Sequence, residues 1–87
     1  MEKNFDLIAM TESIVDDFNQ DAKNQKRNIS FKFVNEGKIK KALIFGIESR
    51  IEQVVANLLD NAVSFSPENS EIEIKIYLER NNFKILT

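Results

Sequence analysis

The 87-residue chain contains no cysteine and no histidine. Without cysteine there is no disulfide framework and no thiolate metal site. Without histidine the chain lacks the commonest general base, the commonest transition-metal ligand and any phospho-accepting imidazole. Proline occurs once, at Pro67, and glycine twice, at Gly37 and Gly46. There is no internal repeat, low-complexity segment or linker. No apolar run approaches the roughly 18 residues of a membrane span. The N-terminus, Met1 to Asp6, lacks the basic-then-apolar plan of a signal peptide. Cytoplasmic location is the resulting expectation, with no membrane contact by this segment. The net charge of −2 argues against nucleic acid, since phosphate binding needs a basic face. The nearest basic cluster, Lys38, Lys40 and Lys41, reads as a solvated loop.

What remains is the composition of one small soluble domain, 43% hydrophobic and 30% charged. A domain this short buries only roughly 60–65% of its unfolded surface, so its stability is small. Its most informative segment runs from Arg50 to Pro67. On a wheel of about 100° per residue, Ile51, Val54, Val55, Leu58, Leu59, Ala62 and Val63 share one broad sector. That spacing predicts a core-facing helix. Arg50, Asn57, Asn61 and Ser64 form a second, polar sector at roughly 220–280° from Ile51. Asparagine is a mediocre helix former, because its side chain competes for backbone hydrogen bonds. Two amides one turn apart on this stripe suggest the wall of a pocket. Ser49 and Glu52 fit a capping box, Gly46 frees the chain to turn into the helix, and Pro67 ends it.

Leu7, Met10, Ile14, Phe18 and Ala22 predict an earlier helix that runs to near Lys26. Phe5 to Ile8 is a short strand or the entry to that helix. Acidic residues early in it (Glu12, Asp16, Asp17) and basic ones late (Lys23, Lys26, Arg27) match the macrodipole. Ile29 to Val34 alternates as a half-buried strand, Asn35 to Gly37 reads as a turn, and Ala42 to Phe45 as a short apolar strand. Beyond Pro67, Ile72, Ile74, Ile76 and Leu78 alternate with polar residues, giving a strand with one face in water. Asn81-Asn82 suits a hairpin turn, and Phe83 to Leu86 begins the return strand. Phe18, Phe31, Phe33, Phe45 and Phe83 are expected in the core. The order implies an α+β fold: a two-layer sandwich with helices on one face of a mixed or antiparallel sheet.

Asn57-Leu-Leu-Asp-Asn-Ala-Val-Ser-Phe-Ser-Pro67 closely resembles the asparagine box of bacterial sensor histidine kinases. These belong to the wider ATPase and kinase superfamily that includes gyrase, a class of heat-shock chaperones and mismatch-repair ATPases. Arg50 to Val54 and Ile44 to Gly46 also look like the family's approach to this helix. The resemblance implies an incomplete Bergerat-type ATP-binding fold over residues 1–87. It further implies that Asn61 ligates the magnesium bridging the phosphates of ATP, and that Asn57 supports the same ion. Mg²⁺ takes hard oxygen ligands, and an amide oxygen is one. By the same resemblance, Phe65 packs near the nucleotide. Ser64 stands at a cofactor-binding position where the family commonly has lysine.

The sequence stops before the family's adenine-reading Asp-x-Gly-x-Gly motif, and neither glycine lies in a phosphate-cradling loop. The expectation is therefore a single partial domain, inactive alone. Its parent would move the γ-phosphate of ATP to a histidine for relay to a response regulator. The implied partners are the rest of the ATP-binding domain, a histidine-bearing dimerisation domain and that regulator. The alternative is a standalone interaction module that pairs, as a homodimer for example, through an open sheet edge. For individual residues the plainer readings stand alongside: Arg50 as a solvated or ion-paired side chain, Ser64 as solvent-facing, Phe65 as core or pocket lining.

Overall fold

The computed structural model describes residues 2–36, 42–79 and 82–86. Five strands and three helices follow in the order β1 (Glu2–Asp6), α1 (Leu7–Gln20), α2 (Ala22–Lys26), β2 (Ser30–Asn35), β3 (Leu43–Ile47), α3 (Glu48–Ser64), β4 (Glu71–Glu79) and β5 (Asn82–Leu86). The strands divide into two sheets. β1 and β3 pair antiparallel, with Phe5 opposite Ile44. β2, β4 and β5 form the second sheet: β2 runs parallel to β4, with Phe31 opposite Ile72, and β4 runs antiparallel to β5. The mixed sheet and two-layer α+β architecture implied by the element order are present.

Alternation explains the layering. Phe31 on β2 and Ile72, Ile74 and Ile76 on β4 are buried, whereas Ser30, Lys32, Glu71 and Glu73 are exposed. One face of the sheet is thus apolar and must be covered. α1 supplies Leu7, Ile8, Met10, Ile14 and Val15 to the core, and α3 supplies Val55 and Leu59. Phe18 meets Phe31 edge-to-face, with ring centroids 5.4 Å apart, the geometry that the ring quadrupoles favour.

Several local expectations shift. The first helix does not run unbroken to Lys26. Asp21 takes extended backbone angles, and its carboxylate accepts the Lys23 N–H at 2.8 Å, capping α2 as a separate short helix. α1 therefore has no acidic residue in its first turn and no basic residue in its last. Its N-terminus is instead capped by Asp6, whose Oδ1 accepts from the N–H groups of Ile8 and Ala42. Ser49 is not the N-cap of α3. The helix begins at Glu48, and its cap position is Ile47, which offers no side-chain acceptor. Gly46 lies within β3 and has no positive φ. Among the described residues, positive φ values fall on Asn28 and Asn69, whose short amide side chains tolerate this region. Among the expected core residues, Val54 is 54% and Phe45 67% exposed. Phe18 and Phe33 are partly buried. The side chain of Phe83, and also Gly37, Asn81 and the Lys38, Lys40, Lys41 cluster, lie outside the described residues.

One hydrogen-bond pair had no sequence signal. The Asn19 carboxamide on α1 donates to the Phe31 carbonyl at 2.9 Å and accepts the Phe31 N–H at 2.7 Å. Chemically it is a peptide group, and it acts as a one-residue strand on the outer edge of β2. Asn19→Ala leaves both Phe31 groups without their partner. Unfolding in urea should show a loss of about 1–3 kcal/mol. A change below about 0.5 kcal/mol would mean that the pair does not tie α1 to the sheet.

Candidate functional site

The site is built on α3. Val55 and Leu59 are fully buried, and Ile51, Ala62 and Val63 pack against the same core. This anchors one side of the helix and turns the other outward. Asn57, Asn61, Ser64 and Arg50 are all exposed, as the wheel requires once the apolar stripe is seated. Val54 and Phe65 are exposed with them, Phe65 to 89%. Phe65 is the C-cap of α3 and packs in no core.

Neither asparagine side chain makes a hydrogen bond to a described residue. The two amides stand one turn apart, with about 5–6 Å between their Cβ atoms. Their oxygens are hard and neutral. The pair fits a magnesium ion that takes its remaining ligands from water and phosphate. Among the described residues no cluster of His, Cys, Asp or Glu offers a rival metal site. Ser64 is less free, because its hydroxyl donates to the Asp60 carbonyl at 3.0 Å.

A cavity of about 430 Å³ lies on another flank of α3, lined by Asp60 and Val63 together with Asp17, Phe18, Asp21 and Arg27 among others. Asp60 and Val63 sit roughly 100–160° round the helix from Asn61. The exposed asparagines therefore do not line this cavity, which is a separate feature between α3 and the α1–α2 corner.

The end of α3 is closed with care. Ser64 Oγ donates to the Asp60 carbonyl, the Phe65 N–H to that of Asn61, Ser66 Oγ to that of Ala62, and the Ser66 N–H to that of Val63. Arg27 adds its guanidinium from the distant α2–β2 corner. Its Nη2 donates to the Ser66 carbonyl at 2.7 Å and its Nη1 to the Val63 carbonyl at 3.4 Å. The sequence had placed Arg27 at the end of its own helix. The structure aims it at the C-terminus of α3, 36 to 39 residues away. Only the tertiary contact reveals it.

No protein-family model matches the chain. Comparison with solved structures gives a TM-score of 0.82 and 25% identity to the catalytic domain of histidine kinase ThkA, over 98% of this chain and 56% of that one. ThkA has also been solved in complex with the response regulator protein TrrA. Among curated proteins, the adaptive-response sensory kinase SasA of Thermosynechococcus vestitus is 29% identical over 77 residues, 88% of this chain and 19% of SasA. The sensor protein KdpD of Clostridium acetobutylicum is 59% identical over 34 residues, 39% of this chain and 4% of KdpD. The chain thus spans about half of the ThkA catalytic domain and a small part of these curated relatives. The fold is that of the histidine kinase catalytic domain. In sequence and structure together, the chain resembles the N-terminal, asparagine-box portion of the ATP-binding domain of sensor histidine kinases.

Because Asn61 is exposed and unpartnered, its amide contributes little to folding. Asn61→Ala should leave the urea midpoint within about 0.5 kcal/mol of the parent chain. A loss above about 1.5 kcal/mol would show a structural duty that the geometry does not reveal.

Proposed function

We propose that this chain forms the asparagine-bearing side of a magnesium–ATP site in a sensor histidine kinase. Asn61 is the metal ligand, Asn57 supports the same ion, and Phe65 and Ser64 border the nucleotide. The observation that carries this reading is the pair of exposed, unpartnered amides on α3, in a fold that matches ThkA over 98% of the chain. The magnesium would neutralise charge on the bridging phosphates. The chain's own contribution is to hold two amide oxygens on a rigid helix whose other side is locked in the core.

The parent kinase transfers the γ-phosphate of ATP to a histidine, and a response regulator takes it from there. The ThkA–TrrA complex supports a regulator as partner. A histidine-bearing dimerisation domain supplies the acceptor, since these 87 residues contain no histidine. They also hold no glycine-rich nucleotide motif, so the chain is inactive by itself. A cytoplasmic site of action follows from its need for ATP. No helix among the described residues is long and apolar enough to cross a membrane.

Titration of the ¹⁵N-labelled chain with Mg-ATP tests the reading. Shifts should concentrate on Asn57 to Phe65, with an affinity no tighter than about millimolar, and Asn61→Ala should abolish them. Shifts centred on the cavity beside Asp17 and Arg27, or unchanged binding by Asn61→Ala, would refute the assignment. Micromolar binding would show that the remaining segments are dispensable.

A second reading rests on β5 standing at the end of the described strand order: self-association through that edge. It expects a dimer in sedimentation at high micromolar concentration. A strictly monomeric species excludes it.

A further inference from the structure

Asn61 lies in the last turn of α3, and helix ends fray unless their carbonyls are satisfied. Every one of the carbonyls from Asp60 to Val63 meets a donor. All four of those donors are local and hold the turn only to itself. The Val63 carbonyl, by contrast, also receives Arg27, and so does the Ser66 carbonyl beyond the helix.

Arg27 does not act alone. Its own carbonyl accepts the Asn69 N–H at 3.0 Å. The Asn28 carboxamide donates to Asn69 Oδ1 at 2.9 Å. The Ser30 N–H donates to the Ser70 carbonyl at 3.0 Å, where β2 starts beside β4. Residues 27–30 are therefore zipped along residues 63–70. Asn28 and Asn69, joined side chain to side chain, are also the two residues with positive φ among those described, so both turns are shaped for this meeting.

We propose that Arg27 is a positioning residue for Asn61. Its guanidinium clamps the C-terminal turn of α3 to the sheet and so fixes the direction in which the Asn61 amide is presented to metal and phosphate. This rests on the reading of Asn61 as the magnesium ligand. The chemistry suits the task. A planar fork with two donors can hold two carbonyls at a set angle, and its positive charge faces the negative end of the helix dipole. Arg27 stands just before β2, and residues 66–70 lead directly into β4, so the clamp ties the turn to the point where these two strands begin their pairing. Without it, the hydrogen bonds of the last turn are all local, and only the packing of Ala62 and Val63 against the core still ties the turn to the rest of the fold.

The test compares Arg27→Gln with Arg27→Lys in the whole 87-residue chain. Native-state hydrogen exchange should quicken about tenfold or more at the Phe65 and Ser66 amides in Arg27→Gln. Exchange at Val55 and Leu59 should change far less. Mg-ATP binding, read by the shifts of Asn57 and Asn61, should weaken about three- to tenfold. Arg27→Lys keeps the charge and one donor direction, so it should show both effects at smaller size. It also serves if Arg27→Gln does not fold. Equal acceleration at Leu59 and Ser66 would overturn the proposal, for Arg27 would then support only global stability. So would unchanged Mg-ATP binding alongside a loosened turn. If Asn61→Ala binds Mg-ATP like the parent chain, the magnesium reading fails separately. The local exchange difference still reports whether Arg27 holds the turn.

Discussion

The parallel pairing of β2 with β4 is the constraint on which the rest of the fold depends. Parallel neighbours cannot be joined by a tight turn; the chain must leave the sheet and return over one face. Here the connection carries β3 and α3. α3 is thereby laid over the apolar face made by Phe31, Ile72, Ile74 and Ile76, where Val55 and Leu59 reach zero exposure. The asparagines, on the other side of the same helix, can only face outward. The proposed metal ligands owe their availability to the burial of Val55 and Leu59 on the opposite side of α3.

Small side-chain hydrogen bonds finish what the sheet begins. Asn19 fills the outer edge of β2 at Phe31, Asp6 joins the start of α1 to the start of β3, and Arg27 ties the corner after α2 to the end of α3. Each satisfies backbone groups that a small domain has little apolar area to shield. The chain has no cysteine for a covalent staple. These three polar ties do a comparable job of joining segments far apart in sequence. They also leave the helices and strands free to present function elsewhere, which in this chain means the outward face of α3.

Much of the fold and of the candidate site was legible in the residues, and the misses share a cause. Period-two alternation located β2 and β4, and the three-and-four spacing located α1 and α3, because one-sided burial imprints those periods directly. Val54 and Phe45 were expected inside and lie outside. An apolar residue at the margin of a stripe is buried only if a neighbouring element reaches it. Ser49 and Glu52 have the chemistry of a capping box but lie two residues too late to cap α3: β3 extends through Gly46 to Ile47, which takes the cap position, and the helix starts at Glu48. The break at Asp21 was missed because a good N-cap residue inside a helical pattern looks like any other polar position until its backbone turns.

By itself the sequence determined the class of fold, the amphipathic asparagine helix and its resemblance to sensor kinases. These are written in local periodicity and in a contiguous stretch of residues. Only the tertiary structure decided that the asparagines face open solvent, that the cavity beside Asp17 and Arg27 belongs to another flank of α3, and that Asn19 and Arg27 hold distant backbone. Those outcomes depend on which surfaces meet across separations of 12 to 39 residues. No spacing rule spans that distance, because long-range partners are chosen by the packing of whole elements rather than by the pattern within any one of them.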